Sequence, residues 1–304
     1  MSTVTVTGLT RTTTTALQDA GLDPVAVTDL LRATLAEDLG EVGDLTTLAT
    51  VPADAMFQVA WVTREAGPVA GLPVLAALVE LAVAADAPLS LLVADGSQVH
   101  PGDTLAVLQG PARAILAAER TSLNLLGHLC GVATSTRSWV DAVAGTQTAV
   151  RDTRKTMPLL RALEKYAVRY GGGQNHRAGL YDAVLIKDNH VAVAGGVGAA
   201  LDAVYARHPR GTLPVQVEVD DLEQLDQALA HGADHVLLDN FTVPALRAAV
   251  DRVRRDHPSV VLEASGGITL DLAAEVAGTG VDLIAVGALT HSTRNLDIGL
   301  DVLS

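Results

Sequence analysis

The sequence holds 304 residues, 49% of them apolar and 18% charged, with a formal net charge of −14 and a single cysteine, Cys130. That acidic balance excludes a nucleic-acid partner, whose phosphate backbone requires a basic surface. No apolar run approaches the roughly 20 residues of a membrane span, and one cysteine excludes an internal disulfide. The start of the chain has neither the basic segment nor the apolar stretch of a secretory signal. A lone thiol also fits a reducing compartment, so a cytoplasmic protein is expected.

The first 16 or so residues are rich in threonine and read as a frayed tail, and residues 1–27 together as a poorly ordered lead-in. Residues 28–39 have helical spacing with an early Asp29, before the glycine-punctuated run Glu37-Asp38-Leu39-Gly40-Glu41-Val42-Gly43-Asp44. Residues 58–63 and 104–108 read as strands, with turns at Asp95-Gly96 and Pro101-Gly102-Asp103. Residues 114–143 are helical in pattern and join two domains.

After Ala144 a strand-then-helix rhythm begins. Strands are predicted at 147–151, 183–187, 214–219, 235–238, 260–264 and 283–286. Helices are predicted at 159–170, 199–207, 222–230, 244–255 and 270–277. Such alternation implies parallel strands with right-handed crossovers. The strands read as apolar on both faces, as in a barrel buried between core and outer helices. Six units fall short of an eight-fold barrel. The predicted class is therefore α/β: an incomplete parallel α/β barrel over residues 128–290, with a smaller N-terminal α+β domain over 28–127 to which residues 291–304 return.

Charge is unevenly spread along the chain. Between Arg113 and Lys187 lie eight arginines and all three lysines, 11 of the 21 basic residues, against five acids. An acidic protein that gathers its cations in one place is built to bind a small, highly charged anion there.

In parallel barrels the reactive groups lie at the carboxyl ends of the strands, and here almost every predicted strand ends on a polar or glycine signal. The first runs into Asp152-Thr153-Arg154-Lys155, the second into Lys187-Asp188-Asn189-His190, and the third carries Glu218 and Asp220. The fourth ends in Asp239-Asn240, the fifth in Ser265-Gly266-Gly267 and the last in Gly287. Arg154, Lys155, Arg177 and Lys187 supply forked and point-charge donors for carboxylates or phosphates. Glu218 and Asp239 are costly beside an anion unless they bind a hard cation or sugar hydroxyls, and Mg²⁺ held jointly with substrate phosphates meets both needs. Ser265-Gly266-Gly267, read as opening a helix, offers backbone N–H groups to a phosphate, and Gly287 leaves room for a second backbone approach. The inferred ligands are a phosphosugar with Mg²⁺ and a separate carboxylate-bearing substrate.

Longer motifs narrow this reading. Asp152-Thr153-Arg154-Lys155-Thr156, Lys165-Tyr166-Ala167-Val168, Gly171-Gly172-Gly173-Gln174-Asn175-His176-Arg177 and Leu185-Ile186-Lys187-Asp188-Asn189-His190 closely resemble the quinolinate phosphoribosyltransferases, the decarboxylating enzymes of NAD synthesis. Flanking pieces agree, among them Glu119-Arg120, Gly131-Val132-Ala133-Thr134 and Glu263-Ala264-Ser265-Gly266-Gly267. The resemblance spans residues 28–298.

It implies transfer of phosphoribosyl from phosphoribosyl pyrophosphate to the quinolinate nitrogen with loss of CO₂. It also implies a homodimer or higher homo-oligomer with shared active sites, Arg120 being lent to the neighbouring subunit. By the same carry-over Arg154, Lys155, His176 and Arg177, with Thr153 beside them, hold the two quinolinate carboxylates, and Lys187 faces the substrates. Glu218 and Asp239 would bind ribose hydroxyls and Mg²⁺, and Ser265, Gly266, Gly267 and Gly287 the 5′-phosphate. Lys155, Lys187, Glu218 and Asp239 form the implied catalytic set.

Some features have plainer readings. Met157-Pro158-Leu159 departs from the family pattern, in which glycine follows the proline. Cys130 reads as a small buried residue rather than a nucleophile. His231 and His235 are spaced like metal ligands but fall on diverging elements. The glycines of 194–198 read as a flexible loop, and Arg161, Lys165 and Arg169 as a solvated or subunit-facing stripe. Three rival functions are a Schiff-base barrel lyase using Lys187, a phosphoribosyltransferase for a different aromatic acid, and a non-enzymatic anion-binding protein.

Overall fold

The computed structural model describes residues 8–303. In chain order the elements begin with α1 (Arg11–Asp19), α2 (Pro24–Leu39), α3 (Leu45–Thr50), β1 (Met56–Thr63), β2 (Gly67–Pro68) and α4 (Leu72–Ala82). Then come β3 (Leu89–Leu91), β4 (Gln98–Val99), β5 (Thr104–Pro111), α5 (Ala112–Ala142), β6 (Ala149–Arg151) and α6 (Arg161–Tyr170). The chain continues through β7 (Val184–Ile186), α7 (Asp188–Ala194), α8 (Val197–Arg207), β8 (Val215–Val219), α9 (Leu222–Ala230) and β9 (His235–Asp239). It closes with α10 (Val243–Asp256), β10 (Val261–Ser265), α11 (Ala273–Ala277), β11 (Leu283–Ala285), α12 (Ala288–His291) and β12 (Ile298–Val302). Among the described residues no helix is long and apolar enough to cross a membrane.

Contacts divide the chain into two units. The first comprises the described parts of Met1–Ser135, Met157–Gly172 and Ser292–Ser304, and the second Thr136–Thr156 with Gly173–His291. The boundary expected near residue 128 falls within α5, a single 31-residue helix, and the contact division lies further along the same helix, between Ser135 and Thr136. Nor does α6 belong with the barrel. The Tyr166 hydroxyl accepts from Gly71 N at 3.0 Å and donates to Asp95, while His128 Nε2 meets Glu164 Oε1 at 2.8 Å. These buried polar contacts tie α6 to the first unit; of the stripe expected to be solvated or subunit-facing, Arg169 is exposed but Lys165 is buried.

In the first unit an antiparallel sheet runs in the order β12-β1-β5-β3. Its core is aliphatic around Trp61, with Val59, Leu72, Leu75, Leu105, Leu126 and Ile298 among the buried side chains. Glycines let the C-terminal segment lie close against α5. A side chain at Gly131 would strike the Arg294 carbonyl, and Leu296 N donates to Gly127 O at 2.9 Å.

The frayed tail expected at the N-terminus is corrected over its described part. Thr10 caps α1, and Glu80 on α4 accepts from Thr10 N at 2.7 Å, Thr10 Oγ1 at 2.7 Å and Thr13 Oγ1 at 2.5 Å. Leu9 and Leu17 are fully buried. The threonines are capping and carboxylate-binding groups. The rest of the expected tail, residues 1–7, lies outside the described residues.

The second unit is a six-stranded, all-parallel sheet in the order β6-β11-β10-β9-β8-β7. Strands β7 to β11 follow chain order and β6 closes onto β11, leaving β6 and β7 as the terminal strands of an incomplete barrel, with Gln174 bridged to the outer side of Arg151. All six strands fall where the alternation predicts them. One face is aliphatic, with Val150, Val215, Val217, Val236, Leu238, Leu262 and Ile284 buried. Helix starts are capped by Asp221 before α9 and by Thr242 with Pro244 for α10. The glycines of 194–198 do not form a free loop: Gly195 (φ 89°) and Gly196 (φ 135°) join α7 directly to α8.

Leu159 carries a positive φ of 66° and is 89% exposed. A leucine there bears the steric cost of the left-handed region, about 1 kcal/mol, without burial to offset it. Leu159→Gly is expected to raise Tm by about 2 °C in thermal unfolding; an unchanged or lower Tm contradicts this reading of the turn.

Candidate active site

Side chains alternate across a strand, so the face opposite the aliphatic one is set by every second residue. On β8 these are Gln216 and Glu218, on β9 His235, Leu237 and Asp239, on β10 Glu263 and Ser265. The expectation of strands apolar on both faces is therefore corrected: the inner face is polar. Its upper layer opens into a cavity of about 390 Å³, lined by Thr153, Arg154, Lys155, His176, Arg177, Lys187, Glu218, Asp239, Glu263 and Ser265 with apolar Leu185, Leu237 and Ala285.

One wall is cationic. Burial and then the neighbouring Arg154 charge lower the Arg177 pKa. The Nε atoms of both arginines are buried without a hydrogen-bond partner. Two guanidiniums that repel each other and keep Nε donors unsatisfied are an arrangement that bound negative charge would relieve. Arg177 is held in place by Nη1 donating to Ala183 O at 3.1 Å. Asp152, fully buried, accepts from Asn175 Nδ2 at 2.6 Å and His176 N at 2.7 Å, sewing the loop before Arg177 to the end of β6. The Lys155 backbone is pinned on both sides, its N donating to Thr153 Oγ1 at 3.0 Å and its O accepting from Thr290 Oγ1 at 2.7 Å.

The opposite rim carries acids and glycines. Lys187 Nζ donates to Glu218 Oε2 at 2.8 Å, so that carboxylate is charge-paired. Asp239 accepts from Asn240 Nδ2 at 2.7 Å, and Asn240 has a φ of 55°. Gly266 (φ 89°) packs so tightly on Asn240 that any Cβ would strike its amide. Ser265-Gly266-Gly267 does not open an α-helix directly; a 3₁₀ turn at Leu270–Leu272 precedes the short α11. At Gly287 a Cβ would come within 3.0 Å of Lys155 Cδ, so glycine there makes room for that lysine.

Beneath these groups lies a layer that strand-end reasoning missed. Glu263 is 0% exposed, with Arg151 Nη1 donating to its Oε2 at 2.8 Å and Gln216 Nε2 at 3.1 Å. His235 Nε2 stands 3.4 Å from Oε2 and His176 Nε2 3.9 Å from Oε1. Burial alone would raise the Glu263 pKa; the His235 ring, the Arg151 charge and His176 outweigh it and hold the carboxyl down to about 2. The signal was present in the sequence, since Gln216 and Glu263 stand two residues before Glu218 and Ser265 on their strands.

The cavity thus gathers Thr153, Arg154, Lys155, His176, Arg177, Lys187, Glu218, Asp239 and Ser265 of the predicted set. Gly266, Gly267 and Gly287 of that set are not among its lining residues; they follow the lining Ser265 and Ala285 along the chain. Arg120 belongs to the first unit, where it is exposed on α5. His176 lines the cavity with protein partners of its own. Its Nδ1 accepts from Arg177 N at 2.6 Å and its Nε2 meets Gln216 Oε1 at 2.9 Å, so both ring nitrogens are engaged by the protein. Among the described residues no three His, Cys, Asp or Glu side chains form a metal cage. His231 instead pairs with Asp202 at 2.9 Å. Cys130 is buried, its thiol pushed up to about 12 by desolvation.

Comparison with known proteins agrees with this geometry. Residues 44–130 match the N-terminal domain of quinolinate phosphoribosyl transferase and residues 132–301 its C-terminal domain. The chain belongs to the quinolinate phosphoribosyl transferase family. Among curated members, it is 52% identical over 287 residues to the nicotinate-nucleotide pyrophosphorylase (carboxylating) of Mycobacterium leprae, covering 94% of this chain and 100% of that one. It is 46% identical over 209 residues to a probable enzyme of that name from Bacillus subtilis, covering 68% and 71%. Among solved structures, the nicotinate-nucleotide pyrophosphorylase of Ehrlichia chaffeensis superposes with a TM-score of 0.84 at 35% identity, covering 91% of this chain and 98% of that one.

Proposed function

We propose that this member of the quinolinate phosphoribosyl transferase family transfers phosphoribosyl from phosphoribosyl pyrophosphate to the nitrogen of quinolinate. Decarboxylation follows, giving nicotinate mononucleotide, pyrophosphate and CO₂ for de novo NAD synthesis. The observation that carries the reading is the Arg154 and Arg177 pair, two mutually repelling guanidiniums with unsatisfied buried Nε donors, facing an acid-bearing rim across one cavity. A substrate with two adjacent carboxylates satisfies both arginines at once, which favours quinolinate over a mono-acid.

The chemistry follows from placement. Arg154 and Arg177 fix the ring so that its nitrogen faces the anomeric carbon, and two polyanions that repel each other in water are held together. As pyrophosphate leaves, positive charge develops on the ribose, and Glu218 and Asp239 lie on the rim that would stabilise it. Lys187 balances Glu218 until substrate arrives, and Lys155 is pinned beside the clamp to meet departing phosphate oxygens. Transfer makes the ring a pyridinium, which takes up the electrons released as the adjacent carboxylate departs.

The oxygen donors of Glu218 and Asp239 suit Mg²⁺, and two carboxylates without a third ligand suit an ion completed by substrate phosphates. Bound there, Mg²⁺ would neutralise the pyrophosphate. A Schiff-base role for Lys187 is disfavoured, because its amine is ion-paired at 2.8 Å rather than presented free. Arg120, exposed on α5, is accessible to complete a neighbouring subunit's site, as the family resemblance implies.

The direct assay is formation of nicotinate mononucleotide and CO₂ from quinolinate, phosphoribosyl pyrophosphate and Mg²⁺. Arg177→Ala is expected to raise the quinolinate KM by about 100-fold, the loss of one charge-assisted pair, and to leave the other substrate's KM nearly unchanged. No product from the wild-type enzyme, or equal losses for both substrates, contradicts the assignment. Mixing Arg120→Ala subunits with Lys187→Ala subunits, each inactive alone, is expected to restore part of the activity; mixtures that stay inactive argue against a shared site.

A further inference from the structure

Behind the arginine wall, the polar layer around Glu263 takes no part in the reaction as derived above, yet both of its arms end on the segment that carries Arg177. One arm runs through Arg151, whose Nη1 donates to Glu263 at 2.8 Å and whose Nε donates to Asn175 O at 3.3 Å. The other runs from Glu263 through Gln216 to His176, whose Nδ1 accepts from Arg177 N at 2.6 Å.

The second arm has a fixed direction. An ionised carboxylate only accepts, so the Gln216 amide must turn its NH₂ toward Glu263. Its carbonyl oxygen then faces His176 Nε2, which must carry the proton. That leaves Nδ1 as a bare lone pair, the form able to accept from Arg177 N. The opposite tautomer would set two acceptors against each other at Gln216 and two N–H groups against each other at Arg177. A carboxylate in the sheet interior thus dictates which nitrogen of His176 is protonated.

We propose that Glu263 is a positioning residue for the carboxylate clamp, acting through Gln216 on the tautomer and orientation of His176, and through Arg151 on the backbone leading to Arg177. His176 then contributes to substrate binding by holding Arg177 rather than by donating its own N–H to a carboxylate. The proposal rests on the function argued above for the identity of the bound acid, but not for the tautomer.

The test combines a spectroscopic and a kinetic readout. In protein labelled with ¹⁵N-histidine, with His176 assigned by difference from His176→Asn, the wild-type ring is expected to show protonated Nε2 and bare Nδ1. Gln216→Leu should replace this with exchanging tautomers. It should also raise the quinolinate KM about tenfold or more, the effect of misplacing a binding group by a fraction of an ångström, with less than about a twofold change for phosphoribosyl pyrophosphate. Glu263→Gln preserves side-chain volume and should give the same split to a smaller degree, so it carries the kinetic test if Gln216→Leu does not fold. A wild-type Nδ1–H tautomer overturns the proposal, as do equal rises in both KM values or unchanged quinolinate KM in a folded variant. A wild-type protein that does not turn over quinolinate would strike the functional reading instead, while the tautomer result stands independently.

Discussion

Glu263 is a carboxylate with no exposed surface, set on the inner face of a sheet whose other face is aliphatic. Leaving such a charge unpaired in the interior would cost several kcal/mol. It is held instead by Arg151, by the Gln216 amide and by the nearby rings of His176 and His235. Those partners sit on four different strands or loops of the second unit, so one buried charge fixes the mutual placement of β6, β8, β9 and the 174–177 loop. The cavity wall above it inherits that order.

Electrostatics explain why an acidic chain concentrates its cations. Two polyanionic substrates must meet at one point, so the wall that receives them is positive while the remaining surface is acidic. Within the cavity the charges are graded: Arg154 and Arg177, each with an unsatisfied Nε, a paired Lys187 and Glu218, and Asp239 at the rim. Glu263 does not cancel the positive wall, because Arg151 beneath it supplies the compensating charge. A carboxylate can therefore organise an anion site without weakening it.

Much of this was legible in the sequence. The strand-helix alternation placed all six parallel strands, and charged or polar endings identified seven of the cavity's lining residues, with Arg177 drawn from the basic cluster and His176 from the family resemblance. What escaped lay one period-2 step deeper: Gln216 and Glu263 sit in mid-strand, where apolar neighbours such as Val215, Val217 and Leu262 make the run read as uniformly hydrophobic. The N-terminal threonines were misread because a tail and a capped helix differ only through a distant partner, Glu80. The allegiance of α6 to the first unit depends on Tyr166 reaching Gly71 and Asp95, a contact no local pattern encodes. The strained turn at Leu159 was visible only as a departure from the family's glycine.

The central claim is that Glu263 remains ionised inside the sheet, and its carboxyl ¹³C shift measures this directly. Burial without partners would push its pKa above the usual 4.5, whereas its partners, the His235 ring first and then the Arg151 charge, hold it down to about 2. The sign is definite: a depressed folded-state pKa means that the stabilisation by the ionised form is complete above about pH 4.5 and is lost as pH falls toward 2. In a titration of selectively ¹³C-glutamate-labelled protein from pH 7 downward, the Glu263 signal should stay at its carboxylate position until well below pH 4, or until acid unfolding intervenes. A Glu263 signal that moves to the protonated position at or above pH 4.5 in the folded protein would contradict the account.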